Sequence, residues 1–291
     1  MTTILFIGIA GLPAGKPGEQ TGQVGRAVGQ KGDPMSVLRR RSGNALLEAL
    51  PLEAWERLAP HVEAVTVRSG QVLHQPGARI RDIHFPTTCI LSVLYVMESG
   101  QSAEVAMIGR EGMTGVMALM GGQRSITQLE VRSAGEAMRL PASRIESEFP
   151  RGTGLMQVLL GYAQTFVSQL VQTAACNRHG TLEQRLCRWL LENFDRLPGE
   201  GLAMTHETIA GALGVKREGV TEAAGRLRRQ GAIQYHRGHI RMLDRSLLER
   251  RACECYAETR IDRGIPAVAG SWNQALRAPA DLRNATPLRA M

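Results

Sequence analysis

Lys216, Arg217, Glu218, Thr221 and Glu222 place long hydrogen-bonding side chains within seven consecutive positions. A planar guanidinium matches the two acceptors on a guanine edge, a carboxylate accepts from the cytosine amino group, and a hydroxyl serves either role. This is the chemistry of reading bases in a major groove. At about 100° per residue, Arg217, Glu218 and Thr221 share one arc of a helix, with Glu222 at its edge. Val220, Ala223, Ala224 and Leu227 share the opposite arc, so one face docks on protein and the other is left for a ligand. Arg237 and His239 lie in a His236-Arg237-Gly238-His239 turn, from which both would reach a phosphate backbone.

Such side chains need a rigid support, and the flanking residues describe one. Thr205 is suited to cap a first short helix with Ile209 and Leu213 on its inner face; Gly214-Val215 gives a tight turn, and Gly231 stops the second helix. Ile233 to Tyr235 and Ile240 to Met242 flank the second turn as a small hairpin. Residues 204 to 243 therefore read as a winged helix-turn-helix. An ordinary amphipathic helix pair would show the same stripes, and charge separates the two readings. Between 216 and 245 eight basic residues stand against three acidic ones, which suits a surface that neutralises phosphates.

The 291 residues are enough for two cores, and a formal charge of +8 favours nucleic acid or an acidic surface as partner. Five cysteines, at 89, 176, 187, 253 and 255, follow no secreted disulfide framework, and no cleavable signal is evident, so a cytoplasmic location is expected. The apolar start, Ile4 to Leu12, lacks a basic flank and is shorter than the roughly 20 residues of a membrane span. No membrane association is expected. Residues 1–35, rich in Gly, Pro and Gln, read as a disordered extension, with Met35 as an alternative start.

The fold class is expected to be α+β. In a sensor domain over 36–150, Ala45 to Leu50 and Trp55 to Leu58 have helical spacing around Pro51. Short runs follow at Val62 to Val67, Gln71 to His74, Ile83 to Phe85, Ile90 to Val96, Ala103 to Ile108, Ile126 to Val131 and Glu136 to Leu140. The glycines between them mark a β sandwich or barrel. Over 151–178, Leu155, Leu159, Tyr162, Phe166 and Leu170 recur at helical spacing in a stretch free of charge. That seam predicts a homodimer helix, because base-reading helix-turn-helix proteins commonly pair to match two half-sites. The same seam would also be satisfied by packing on the chain's own β domain. Leu182 to Phe194 reads as a further helix, leading into a reader domain over 179–245. A C-terminal helix is expected over 246–262 and a disordered tail over 263–291.

A glycine-punctuated β domain, a long helix and a C-terminal winged helix-turn-helix, in this order, resemble the Crp/Fnr family of transcription regulators. The resemblance covers roughly 45 to 245 and is carried most specifically by LGVKREGV, residues 213 to 220. It implies a jelly-roll β domain of the cyclic-nucleotide-binding type as sensor, the long helix as dimer interface, Arg217 and Glu218 as base readers, and Thr205 on a phosphate. Double-stranded DNA and RNA polymerase are the partners it implies. Family members that bind cyclic nucleotides hold the ribose with a Gly-Glu pair and the phosphate with Arg-Ser or Arg-Thr. Here Arg124-Ser125 resembles the second pair, whereas Val116 stands where the glutamate would be. A valine accepts no hydrogen bond, so cyclic AMP is not expected as effector. Glu222 stands where many members carry a further arginine, so the preferred site should differ from the best-known family sequence.

Iron–sulfur members use an N-terminal cysteine cluster, and no cysteine precedes Cys89. Cys253 and Cys255, if helical, would point about 200° apart and could not face one metal. No cofactor or metal is expected. No P-loop, HExxH or nucleophile elbow is present, so no catalytic residue is assigned and no enzyme activity is expected. The competing reading is a ligand-binding module whose helix-turn-helix docks protein rather than DNA; strong salt-sensitive duplex binding would separate the two.

Overall fold

Alternating residues between Glu63 and Pro141 pair into two antiparallel sheets that face each other across an apolar interior. The computed structural model describes residues 42–122, 124–151, 153–197 and 201–257. The readings made for 1–35 and 263–291 lie outside these residues. Asn44 caps α1 (Ala45–Ala49) by accepting from the Leu46 and Leu47 backbone N–H groups, and α2 (Leu52–Leu58) follows after Pro51. Strands β1 (Glu63–Val67), β2 (Val72–His74), β3 (Asp82–Pro86), β4 (Ile90–Val96), β5 (Ser102–Ile108), β6 (Gln128–Ser133) and β7 (Gly135–Pro141) form the β roll. One sheet has the order β1-β7-β3 and the other β2-β6-β4-β5.

All seven strands begin and end within two residues of the sequence expectation, and the largest offset has a local cause. Pairing at β6 begins at Gln128 rather than Ile126, because Ser125 Oγ donates to Thr127 O and accepts from Thr127 N, closing a turn that leaves Ile126 exposed. A short helix, α3 (Val116–Leu119), was not legible in the sequence; it lies between β5 and β6. Helix α4 (Ala142–Glu146) then leads to the long helix α5 (Thr153–His179).

The expected dimer seam is corrected by this helix. Leu155, Leu159 and Tyr162 are buried in the chain's own core with Leu46, Trp55 and Phe85, while Phe166 and Leu170 pack against the β roll. Tyr162 also donates from its hydroxyl to Met113 O at 2.8 Å. An apolar stripe satisfies itself on the nearest apolar surface, and here that surface is intramolecular. The face left exposed carries Gln157, Leu160, Gln164, Val167, Val171, Ala174 and Arg178, spaced alternately three and four apart. That is a heptad stripe.

Thr181 caps α6 (Leu182–Phe194) in a reciprocal box with Gln184, a strong start for a helix whose second half is almost wholly buried. The winged unit follows as β8 (Gly201–Ala203), α7 (His206–Leu213), α8 (Arg217–Arg229), β9 (Ile233–His236) and β10 (His239–Met242), with sheet order β8-β10-β9. Its core includes Ile90 and Met107 of the β roll, so reader and sensor share packing. A polar network crosses the same seam. Trp189 Nε1 and Arg132 Nη2 both donate to Glu104, at 2.7 and 3.0 Å, and Arg196 Nε donates to Glu111 at 2.7 Å. Burial pushes the Glu104 carboxyl above its ordinary range despite Arg132. At Glu111 burial also pushes upward, but the Arg196 charge prevails and holds the carboxyl low.

The expected C-terminal helix is interrupted after residue 251, and helical backbone resumes at 255–257. Helix α9 runs Arg245–Arg251, capped by Asp244, and Ala252 is extended at ψ 161°. The chain turns there because Tyr256 is buried in the reader core and donates from its hydroxyl to Asp195 at 2.9 Å. Cys253 and Cys255 therefore do not lie on α9, and the argument from a 200° separation does not apply to them. Residues 258–262 lie outside those described.

Candidate functional site

The recognition helix is held from below and free above. Val220, Ala223, Ala224 and Leu227 of α8 are buried at 3% exposure or less, which fixes the helix's rotation about its axis. Arg217, Glu218, Thr221 and Glu222 are exposed on the other side, and Lys216 sits exposed at the N-cap position. Gly214 closes α7 in the left-handed conformation, φ 63° and ψ 41°, a turn that a side chain would strain. Thr205 is the N-cap of α7, accepting from Thr208 N at 3.1 Å, and remains exposed.

The exposed side chains of this face differ in how freely they project. Thr221 is already engaged: its hydroxyl donates to Arg217 O at 3.0 Å and lies 2.9 Å from His206 Nδ1. Glu222 is paired with Arg226 at 2.8 Å, and Arg226 is in turn bonded to Glu183 at 2.7 Å. A surface pair of this kind is weak, so Glu222 can exchange it for another partner at little cost. In the wing, Arg237 (φ 45°) and Gly238 (φ 79°) both take the left-handed region, the geometry of a type I′ hairpin turn. This holds Arg237 at the hairpin tip, with His239 exposed at the start of β10.

His206 was missed in the sequence. Its ring stacks on Tyr235 of the wing, centroids 4.2 Å apart, while Nδ1 meets Thr221 on the recognition helix. Burial and the nearby Arg217 charge lower its pKa, which favours the neutral ring that such stacking and bonding use. One side chain thus ties first helix, recognition helix and wing together. The adjacency of His206 to the cap Thr205 was visible, but its contact with residues fifteen and more positions away was not.

Two domain families match in the order the fold shows: a cyclic nucleotide-binding domain over residues 64–150 and a Crp-like helix-turn-helix domain over residues 184–251. The chain belongs to the Crp/Fnr family. A global nitrogen regulator of Nostoc sp. is 24% identical over 190 residues, covering 60% of this chain and 82% of its own. The fold is shared with a Crp/Fnr-family regulator from Eubacterium rectale (TM-score 0.58, 19% identity, 71% of this chain and 96% of that one). It is shared likewise with FixK2 from Bradyrhizobium japonicum (TM-score 0.58, 16% identity, 66% and 98%). This Crp/Fnr protein is a DNA-binding transcription regulator. Among the described residues no helix is long and apolar enough to cross a membrane.

A cavity of about 250 Å³ opens between the sheets and α5, with Val116 and Ser125 in its wall. Arg124 does not line it. That guanidinium is exposed and donates to Gly77 O at 2.7 Å, while Ser125 is buried with its hydroxyl turned to Thr127. The pair that resembles a phosphate clamp is thus split between outside and inside. Beside the exposed stripe of α5, Met120, Val167 and Val171 border a shallow groove.

Proposed function

We propose that this Crp/Fnr regulator binds duplex DNA as a homodimer, inserting α8 into the major groove so that Arg217 and Glu218 read base edges, with Thr221 and Glu222 at the margin. Lys216, Thr205, Arg237 and His239 contact phosphates. The observation that carries this reading is the exposed row of donors and acceptors on α8 opposite a fully buried stripe. Pairing runs through Leu160, Val167 and Val171 rather than through the residues first read from the sequence; apolar side chains at heptad spacing have no other described partner surface. The β roll senses an effector other than cyclic AMP, the regulator works in the cytoplasm, and at promoters it meets RNA polymerase. No catalytic role is assigned.

Selection of bound sequences from random duplex DNA, followed by titration of selected and scrambled duplexes at one salt concentration, tests this reading. A palindromic consensus with half-sites about one helical turn apart is expected. Absence of salt-sensitive duplex binding would instead make the winged unit a protein-docking surface.

A further inference from the structure

We propose that the effector is a small, uncharged, apolar molecule seated between the two sheets of the β roll against Phe166 and Leu170 of α5. This rests on the reading of the β roll as sensor and supplies the ligand's chemistry. Ile80, Val93, Val105 and Leu129 join those two side chains in the wall, and no Asp, Glu, Lys or Arg lines the cavity. Its buried hydroxyls are engaged within the wall, since Thr114 Oγ1 accepts from His84 N at 2.8 Å and Ser125 pairs with Thr127, while the Tyr95 side chain in the wall is half exposed and carries no charge. His74, the one imidazole in the wall, is pushed by burial below its ordinary pKa and so is neutral near pH 7. A phosphate placed here would lose its water and meet no cation, which is prohibitive. An apolar molecule loses nothing. A cavity of about 150 Å³ takes benzene, so this one suits on the order of ten non-hydrogen atoms. Because Phe166 and Leu170 stand on the helix whose other face carries Leu160, Val167 and Val171, occupancy would be felt at the pairing surface.

Naphthalene is a suitable probe, titrated into the full chain by fluorescence with cyclic AMP in parallel. We expect one saturable site per chain, unchanged in Arg124→Ala and weakened at least tenfold in Val105→Phe or the milder Val93→Leu, each checked for fold by circular dichroism. Binding that survives both cavity-filling variants, or cyclic AMP binding that depends on Arg124, overturns the assignment. Duplex binding is measured separately without probe: if it fails while naphthalene binds, the regulator reading is lost and the cavity assignment stands.

A different observation carries a second inference. The end of α9 at Ala252 brings Cys253 Sγ to 2.8 Å from Cys176 Sγ, near the end of α5 and 77 positions earlier in sequence. We infer that Cys176 and Cys253 are a hydroperoxide-oxidised pair whose disulfide staples the two ends of the DNA-reading unit together. The hydrogen bond with Cys253, helped by Arg188 and Arg185 nearby, lowers the Cys176 thiol below its ordinary range, whereas the same bond and burial raise Cys253. Cys176 thiolate attacks one peroxide oxygen; the O–O bond breaks, and a sulfenic acid and an alcohol or water result. Cys253 sulfur then attacks the sulfenic sulfur, forming the S–S bond as its proton leaves with the hydroxyl as water. Two thiols are oxidised and one hydroperoxide is reduced. Closing to a bond of about 2.0 Å needs a shift of less than about 1 Å.

The reduced full chain, treated with hydrogen peroxide under native conditions, should yield one Cys176–Cys253 crosslinked peptide. The unfolding midpoint should rise by about 5–10 °C, as expected for closing so long a loop. Cys253→Ser should abolish both effects and Cys255→Ser neither. Cys176→Ala serves if Cys176→Ser unfolds. A Cys253–Cys255 crosslink, an intermolecular one, or oxidation without a crosslink overturns the inference.

Discussion

The sensor cavity and the DNA-reading face are opposites in chemistry and in the way the chain builds them. The reading face comes from one helix whose residues are neighbours in sequence, polar and exposed. The cavity gathers side chains from four strands, two connections and the long helix, all within an apolar wall. A face built at helical spacing announces its chemistry in order; a cavity built from segments ninety residues apart does not.

The largest effect should come from the surface that joins these two regions in a pair of chains. Val167→Glu combined with Val171→Glu should give monomers by light scattering and lower affinity for a selected palindrome by about 10²–10⁴-fold, the usual worth of a second linked half-site. Phe166→Glu should behave differently. Its charge would enter the sensor's packing and destabilise that domain by about 3 kcal/mol or more. If Phe166→Glu gives well-folded monomers while the double variant stays dimeric, pairing runs through the buried seam after all.

Next in size is the bridge between sensor and reader. Glu111→Gln leaves the Arg196 guanidinium, only 2% exposed, without its carboxylate, at a cost of about 3 kcal/mol near neutral pH. Because Arg196 holds the folded Glu111 carboxyl below its unfolded value, this stabilisation is complete above about pH 4.3 and is lost as pH falls through the lower folded value. Urea midpoints of wild type and variant should therefore differ at pH 7 and converge in acid. A constant difference would show that Glu111 acts through packing and not through its charge.

Within the reading face, Arg217→Ala should weaken binding to a selected duplex by about 1–3 kcal/mol while changing binding to a scrambled duplex much less. Equal losses would make Arg217 a phosphate contact. Glu222 lies at the edge of the arc that Arg217 and Glu218 share and starts from a weak pair with Arg226, so its replacement by Gln should alter base preference less than that of Arg217.

What the sequence disclosed follows the same division. The order of elements was legible because strands alternate with period two and glycines punctuate them, and the arcs of α8 were legible because burial fixed them. The long helix was legible as a helix but not in its facing. Leu155, Leu159 and Tyr162 form a good seam on paper, yet residues of α1, α2 and β3 far upstream cover them. The weaker stripe through Gln157, Leu160 and Gln164 is half polar, so hydrophobicity alone ranked it second. Cys253 and Cys176 met only because α9 stopped at Ala252, an ending set by the remote partner of Tyr256. His206 needed the wing in place before its role existed.

The smallest expected effect is at the wing, and it tests whether the reader's two contact types are separable. Arg237 occupies a left-handed backbone position at the hairpin tip, so replacing it with Ala would mix loss of charge with the turn's own preference. Asn tolerates that conformation and removes only the charge. Arg237→Asn should weaken selected and scrambled duplexes alike, by well under a factor of ten at moderate salt. It should also reduce the slope of log affinity against log salt by about one unit, as expected for one lost phosphate contact. Arg217→Ala should leave that slope nearly unchanged. A wing variant that changes sequence preference without changing the slope would place Arg237 on a base edge, and the division between a reading helix and a positioning wing would have to be redrawn.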